Sequence, residues 1–149
     1  MVNLKFRNGN QYDKEWLYDL YCRTMKPCIE ATWGWNEKFQ VDGFTSNLAP
    51  SMFKIITINE QNIGGFCLKE KNNYFYLEII LIDPVYQKKG IGKTAMSHMM
   101  SIAQNKNLPL KLSVIKKNIV KGFYEKLGFF QYDEDKDFYR MEWHSYLRS

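Results

Sequence analysis

The spacing of apolar and polar residues predicts one strand and two helices in the first third of the chain. Residues 4–8 (LKFRN) alternate as a short strand does. From Asp13 to residue 25, apolar residues recur every three or four positions, which indicates an amphipathic helix with Asp13 as its N-cap. Pro27 interrupts this pattern, and residues 29–39 (IEATWGWNEKF) predict a second, weaker helix.

From residue 51 the period changes to two, which predicts three antiparallel strands joined in a meander. Their sequences are MFKIITIN, NIGGFCLKEK and NYFYLEIILID, and Pro84 ends the third. A helix is predicted over residues 91–105. Its buried stripe consists of Ile91, Ala95, Met99, Ile102 and Ala103.

The last third of the chain predicts a strand over residues 110–115 (LKLSVI) and a helix over residues 119–127, which Gly128 is suited to end. FFQYD and DFYRMEW predict two final strands. The order of elements is therefore β-α-α-β-β-β-α-β-α-β-β. We expect an α/β (α+β) fold with one mixed, mostly antiparallel sheet of six to seven strands, flanked by about four helices.

The length and composition favour a single domain. A chain of 149 residues with 45% hydrophobic content can bury one ordinary core but not two, so we expect one domain over residues 1–149. No apolar run approaches the roughly 18 residues of a membrane helix, and the N-terminus lacks the apolar core of a signal peptide. These features predict a cytoplasmic protein with no membrane partner.

The cysteines do not indicate a metal site. Cys22, Cys28 and Cys67 lie at no metal-ligand spacing, and the chain has only two histidines, His98 and His144. We therefore interpret the cysteines as core thiols and expect no metal.

The positive charge is concentrated in one part of the chain. The net charge is +5, but residues 87–126 contain nine lysines against one glutamate, a local net charge of +8. Such a block between nearly neutral or acidic flanks suggests a local anionic partner. The lysines do not form a stripe interleaved with exposed aromatics, so we do not expect a nucleic-acid partner.

This basic block begins with QKKGIGKT, for which three phosphate-binding interpretations compete. An ATP-binding P-loop would need glycine where Gln87 stands. A dinucleotide turn would place its first glycine directly after the strand, whereas residues 84–89 intervene, and no acidic residue follows near residues 112–116. The remaining interpretation is a pyrophosphate site at a helix N-terminus, where Gly90 and Gly92 allow close backbone approach.

The same residues resemble the acetyl-CoA loop of the GNAT superfamily of N-acetyltransferases, written [QR]-x-x-G-x-[GA]. FYEKLGF (residues 123–129) resembles that family's later helix and the strand after it, and the order of elements extends the resemblance to the whole chain. The resemblance implies a GNAT-like domain that uses acetyl-CoA as cosubstrate. The implied coenzyme-binding residues in and after the loop are Gln87, Lys88, Lys89, Gly90, Ile91, Gly92 and Lys93.

The resemblance also implies roles around the thioester. A backbone N–H near Leu81 or Ile82 would stabilise the oxyanion. Tyr124 matches the tyrosine that protonates the leaving thiolate, although a core tyrosine is the alternative. Lys117 occupies the position where the family commonly has asparagine, and Asn118, one place later, is expected to cap the helix or reach the pantetheine arm.

Glu78 is the candidate general base. An amine with a pKa of about 10.4 is protonated at neutral pH and must lose a proton before attack. In NYFYLEIILID, Glu78 shares a strand face with Tyr74, Tyr76, Ile80 and Ile82. A carboxylate on that face is either a base or the partner of a cation.

The acceptor is expected to lie against the first two helices, which border the acceptor cleft in the family that the chain resembles. Trp33, Trp35, Glu30 and Glu37 are candidates for its wall, because aromatic rings and carboxylates suit a cationic amine. Two tryptophans at i and i+2 cannot face the same way on one helix, so we expect at least one to be a core residue.

The expected function is acetyl transfer from acetyl-CoA to a primary amine of a small molecule or peptide by direct attack. A non-catalytic acyl-CoA-binding protein, such as a sensor, is the alternative, because binding and catalysis use different residues. A homodimer is left open.

Overall fold

The computed structural model describes residues 3–145. Within them lie seven strands and four helices, in the predicted order. Their bounds are β1 Leu4–Asn8, α1 Lys14–Trp33, α2 Glu37–Asn47, β2 Lys54–Ile58, β3 Gln61–Glu70, β4 Phe75–Ile82, α3 Ile91–Asn105, β5 Leu110–Ile115, α4 Lys121–Lys126, β6 Phe130–Glu134 and β7 Phe138–Trp143. Short 3-10 turns occupy Gln11–Asp13, Pro50–Met52 and Pro84–Tyr86.

The strands form one seven-stranded sheet in the order β1-β2-β3-β4-β5-β7-β6. The pairs β1/β2, β2/β3, β5/β7 and β6/β7 are antiparallel. Strands β4 and β5 are parallel and pair at Phe75–Leu110, Tyr76–Lys111 and Leu77–Leu112. The predicted fold class, a mixed and mostly antiparallel sheet with four helices, is confirmed.

The chain forms two compact units. The first comprises the residues up to Cys67 together with Ile79–Gly92, and the second comprises Leu68–Glu78 together with the residues from Lys93 onward. The first unit has a core cluster of buried apolar side chains from α1, α2, the sheet and the residue before β2: Leu17, Leu20, Phe44, Phe53, Ile55 and Leu81. The buried side chains of the second unit include those of α3, β5 and β7: Ala95, Met96, Met99, Met100, Ala103, Leu110, Leu112, Val114, Met141 and Trp143.

Helix α1 passes through Pro27, so the predicted helix break at this residue is wrong. Proline removes one backbone hydrogen bond from a helix interior and crowds the preceding turn. Here Pro27 itself is exposed, while Cys28 and Ile29 directly after it are buried. The burial of the following turn keeps the chain helical as far as Trp33, and α2 starts at Glu37 rather than at residue 29.

Asp13 lies at the N-cap position of α1 but makes no side-chain capping bond to that helix. Its carboxylate accepts hydrogen bonds from the Asn10 backbone N–H at 2.9 Å and from two guanidinium nitrogens of Arg7 at 2.9 and 2.7 Å. The bonds from Arg7 lower the pKa of Asp13. Asp13 therefore joins β1 to the turn before α1 instead of capping the helix.

Two further properties concern membranes and metals. No helix in the described part of the chain is long and apolar enough to cross a membrane, and the cytoplasmic location stays a prediction. Among residues 3–145, no three histidine, cysteine, aspartate or glutamate side chains come together as a metal site.

Candidate active site

The loop after β4 changes direction through two residues with left-handed backbone conformations. Gln87–Gly90 connects the turn Pro84–Tyr86 to α3, which begins at Ile91. Lys88 has φ of 63° and Gly90 has φ of 82°. No heavy atom lies within 4 Å of the position where a Cβ on Gly90 would stand. Glycine is therefore favoured at this position by the backbone conformation and not by crowding inside the protein.

The lysines of this loop supply positive charge at the start of α3. Lys88, Lys89 and Lys93 are exposed, and no carboxylate among residues 3–145 forms an ion pair with them. Lys89 Nζ lies 5.8 Å from the centre of the Tyr86 ring. A helix N-terminus presents backbone N–H groups and a positive dipole end, so the lysines and the helix both favour a bound anion. The Ile91 side chain is buried, and its backbone begins the helix.

Gln87 makes a contact that the sequence analysis did not foresee. Its side-chain amide Nε2 donates a hydrogen bond to the Ile82 backbone carbonyl at 2.9 Å. Its backbone N–H donates to the Pro84 carbonyl at 3.2 Å. Gln87 therefore fixes the start of the loop to the end of β4, so in this structure its side chain acts on the conformation of the loop.

Asp83 is a second residue that sequence reasoning missed. Its backbone N–H donates to the Ile63 carbonyl at 2.8 Å, and its carboxylate accepts the Val85 N–H at 3.1 Å and pairs with Arg23 at 3.1 Å. The signal in the sequence is the Asp-Pro dipeptide, since aspartate before proline commonly starts a turn. Asp83 therefore joins α1 to the turn that precedes the loop.

Leu81 and Ile82, the predicted oxyanion region, form the end of β4. Leu81 is buried and belongs to the core cluster of the first unit. Ile82 is half-buried, and its carbonyl is the one that Gln87 contacts. The end of this strand is thus held in place by its neighbours, and the role of its backbone N–H groups stays a prediction.

Tyr124 lies in α4 and is 7% exposed. Its ring makes edge contacts with Phe123 and Phe129, at centroid distances of 5.1 and 5.7 Å. Burial raises the pKa of Tyr124 to about 12, because the charged phenolate would be poorly solvated. The hydroxyl has no hydrogen-bond partner within the described residues. Tyr124 is therefore protonated at neutral pH and can act as a proton donor.

Asn118 does not cap α4, so one of its two expected roles is wrong. The N-cap residue is Val120, and no side chain caps the helix there. The Asn118 N–H donates to the Ile115 carbonyl, and its own carbonyl accepts the Val120 N–H. Its backbone forms a turn between β5 and α4, and α4 begins at Lys121, two residues later than predicted. A contact of Asn118 with the pantetheine arm stays a prediction.

Glu78 forms an ion pair with Lys69, whose Nζ lies 3.2 Å from Glu78 Oε1. The two side chains are 33% and 31% exposed, respectively. The structure therefore shows Glu78 as the partner of a cation, and that cation, Lys69, is only partly buried. Removal of a proton from the acceptor by Glu78 stays a prediction.

Trp33 and Trp35 line one cavity of about 620 Å³, together with Gly34, Asn36, Phe39 and Gln40. The expectation that one tryptophan would be a core residue is wrong, because the two do not belong to one helix. Trp33 ends α1, and Gly34 follows with φ of 80°, so the chain changes direction before Trp35. A φ in this region is uncommon for residues other than glycine.

The two candidate carboxylates differ in their surroundings. Glu37 accepts a hydrogen bond from the Trp35 ring Nε1 at 2.6 Å and from the Tyr18 hydroxyl at 3.2 Å. Glu30 is exposed, and its backbone carbonyl accepts the Gly34 N–H at 2.9 Å. Glu30 is not among the residues that line the cavity.

A family model described as the acetyltransferase (GNAT) family matches residues 15–129, which is most of the chain. The chain belongs to the acetyltransferase (GNAT) family. The matched segment contains the loop, Glu78, Tyr124 and both tryptophans of the cavity. The resemblance seen in the sequence is thereby confirmed, and members of this GNAT family transfer acetyl groups.

Solved structures of other GNAT proteins share the fold. A PaiA N-acetyltransferase from Thermoplasma acidophilum, in complex with coenzyme A, is 23% identical with a TM-score of 0.74, over 96% of this chain and 99% of that one. The ribosomal-protein-S18-alanine N-acetyltransferase from Escherichia coli is 20% identical, with a TM-score of 0.71 over 95% and 94% of the two chains.

Arabidopsis thaliana Naa50, in complex with the bisubstrate analogue CoA-Ac-MVNAL, is 19% identical with a TM-score of 0.66, over 95% of this chain and 99% of that one. The comparison with curated protein sequences gave no significant match. At these identities, the structural likeness establishes the fold of this GNAT protein.

Proposed function

We propose that this GNAT protein transfers an acetyl group from acetyl-CoA to a primary amine of a small molecule or peptide, by direct attack of the amine on the thioester. The observation that carries the proposal is the loop at the start of α3. Its left-handed residues Lys88 and Gly90 precede the helix N-terminus, and its exposed lysines carry charge suited to a pyrophosphate. Two solved GNAT structures, PaiA and Naa50, contain coenzyme A or an analogue that includes it.

The loop would bind the coenzyme through its backbone and its lysines. The N–H groups at the start of α3 would donate to pyrophosphate oxygens, and Lys88, Lys89 and Lys93 would reduce the negative charge. Gln87 would contribute by holding the loop against the end of β4. The backbone N–H groups near Leu81 and Ile82 would stabilise the oxyanion of the tetrahedral intermediate.

The transfer step requires two proton movements. The neutral amine nitrogen forms a bond to the thioester carbon, and the carbon–sulfur bond then breaks, which leaves a thiolate. Tyr124 would donate its proton to that thiolate and be reprotonated from solvent. Glu78, or water beside it, would accept the proton that the amine loses.

The alternative of a non-catalytic acyl-CoA-binding protein is less well supported. The family model that matches residues 15–129 describes acetyltransferases, and a GNAT N-acetyltransferase in complex with coenzyme A shares the fold, which favours the enzyme.

An assay of thiol release tests this proposal. Acetyl-CoA is incubated with the protein and a panel of amines that covers polyamines, amino acids and peptide N-termini. Acetyl-CoA-dependent release with at least one amine class, together with the mass of the acetylated product, supports transfer. Tight acetyl-CoA binding with no release across the panel would support the binding protein instead.

A further inference from the structure

The cavity between α1 and α2 has the size and lining of a small-ligand site. Its volume of about 620 Å³ lies within the roughly 300–1,000 Å³ that is usual for ligand pockets. Three of its six lining residues are aromatic: Trp33, Trp35 and Phe39. Phe39 is 71% exposed and Trp33 is 50% exposed, so both rings present apolar area at the surface.

The two amide side chains of the cavity, Asn36 and Gln40, offer hydrogen-bond donors to a ligand. The Asn36 side-chain oxygen accepts the Phe39 backbone N–H at 2.9 Å, and the Gln40 side-chain oxygen accepts the Tyr21 hydroxyl at 2.8 Å. Both amide oxygens are thus engaged, whereas the amide N–H₂ groups have no partner among residues 3–145. Each amide oxygen keeps one lone pair, but the N–H₂ groups are the donors that have no partner and that an oxygen atom of a ligand would satisfy.

The charges near the cavity also disfavour a cationic ligand. No lining residue carries a charge. The Glu37 carboxylate already accepts hydrogen bonds from Trp35 and Tyr18. Lys26 Nζ lies 5.3 Å from the centre of the Trp35 ring, so this ring already has a cation over it. A second cation at that ring would be repelled.

We infer that this cavity binds an uncharged apolar or aromatic side chain whose neighbouring carbonyl or carboxylate oxygens accept hydrogen bonds from Asn36 and Gln40. A peptide segment and a free aromatic amino acid both have this chemistry. The inference rests on the proposed acetyl transfer, because the bound group would belong to the acceptor. It also replaces the expectation of a cationic binding wall at Trp33 and Trp35.

Binding measurements test the inferred ligand chemistry of the cavity without requiring acetyl transfer. The probes are N-acetyl-phenylalaninamide, N-acetyl-alaninamide and phenethylamine, titrated into the full chain by calorimetry in the absence of acetyl-CoA. We expect the first probe to bind about tenfold or more tightly than the other two, since it has both the ring and the carbonyl groups. Equal or tighter binding of phenethylamine would overturn the inference in favour of a cation site.

Two variants and a control locate the binding. Phe39→Ala should weaken N-acetyl-phenylalaninamide binding about tenfold. Gln40→Glu, which replaces the amide N–H donors by a negative charge, should also weaken it. Tyr12→Ala removes an aromatic ring that is 86% exposed outside the cavity, and it should change nothing. An equal effect of Phe39→Ala and Tyr12→Ala, with both variants folded by circular dichroism, would overturn the inference.

Assays of acetyl transfer distinguish a peptide acceptor from a free amino acid acceptor. If a peptide is the acceptor, Ala-Phe-Ala should be acetylated with a lower KM than Ala-Ala-Ala, and Phe39→Ala should remove the difference. If the free amino acid is the acceptor, phenylalanine should be preferred over alanine with the same dependence on Phe39. Absence of transfer to every acceptor, with probe binding intact, would refute the proposed function and leave the cavity chemistry supported.

Discussion

The Gln87 side chain donates a hydrogen bond of 2.9 Å to the Ile82 carbonyl, which joins the loop Gln87–Gly90 to the last residue of β4. The loop therefore depends on the strand for its conformation. The contact gives Gln87 a positioning role that can be measured.

Gln87→Ala should lower acetyl-CoA affinity about fivefold, because a hydrogen bond of this kind contributes about 1 kcal/mol and the loop becomes less ordered. The thermal stability of the protein should change little, since the side chain is exposed. Calorimetry with Gln104→Ala, an exposed glutamine of α3, as the control measures the effect. Wild-type affinity in Gln87→Ala would show that the contact does not shape the site.

Gly90→Asp should abolish acetyl-CoA binding. The aspartate would have to adopt a φ of 82° and would place a negative charge beside the pyrophosphate. Gly90→Ala keeps the strain without the charge and should weaken binding less. Gly43→Asp, in α2 with open space around its Cβ position, is the matched control for the added charge. Unchanged binding in a folded Gly90→Asp protein would show that the loop does not bind acetyl-CoA. Unchanged binding in a folded Gly92→Asp protein would show the same for the first turn of α3.

Tyr124→Phe should reduce kcat about 10²-fold while acetyl-CoA affinity stays within about twofold, because the ring packing is kept and only the acid is lost. Since the pKa of Tyr124 is raised to about 12, the wild-type enzyme should not lose this acid between pH 7 and pH 10. Tyr132→Phe, at an exposed tyrosine of β6, is the control. Equal kcat values for Tyr124→Phe and wild type would make Tyr124 a core residue only.

The same substitution should change stability at alkaline pH. The pKa of Tyr124 is about 12 in the folded protein and about 10 in the unfolded chain, so the unfolded chain loses its proton first. Stability is therefore unaffected below about pH 10 and falls as the pH rises towards 12. Urea denaturation at pH 8 and pH 11 should show a smaller alkaline loss for Tyr124→Phe than for wild type. Part of the loss should persist, because burial also raises the pKa of Tyr21 to about 12.

Glu78→Gln should lower the rate strongly at neutral pH, and the loss should shrink as the pH rises, because a neutral amine no longer needs a base. Lys69→Met is the matched variant, since it removes the ion pair and keeps the carboxylate. We expect Lys69→Met to retain most of the activity. If both variants have the same pH–rate profile, Glu78 acts through the ion pair and another group or a water chain takes the proton.

The sequence predicted those elements whose apolar pattern coincides with burial. Strand β5 and helix α3 have the predicted bounds, because their alternating and helical patterns match the faces that are buried. Strand β1 also has the predicted bounds, although none of its residues is fully buried. The end of α1 was mispredicted at Pro27, where the burial of Cys28 and Ile29 outweighs a local helix breaker. The low helix propensity of proline describes its local cost in free energy, but it does not describe the packing of the residues that follow.

In the candidate site, too, residue patterns were predictable from the sequence, whereas contacts between distant residues were not. The glycine and lysine pattern of the loop could be recognised in the sequence, because it depends only on the types of neighbouring residues. The hydrogen bond from Gln87 to Ile82 and the ion pair of Arg23 with Asp83 could not, because they join residues whose proximity depends on the fold. Trp33 and Trp35 were both candidates for the acceptor wall, but one of them was expected to be a core residue because helical spacing was applied across Gly34.

The helix end at Gly34 affects how the acceptor specificity of this protein could change during evolution. Side chains two apart on a continuous helix point about 200° from each other, so Trp33 and Trp35 can line one cavity only because the helix has ended between them. The cavity is thus built mostly by a short linker and the first turn of α2, outside the core cluster that stabilises the first unit. A substitution at Phe39, which is 71% exposed, would alter which ligand is accepted while the sheet and its core stay the same, so specificity at this ring can evolve separately from stability.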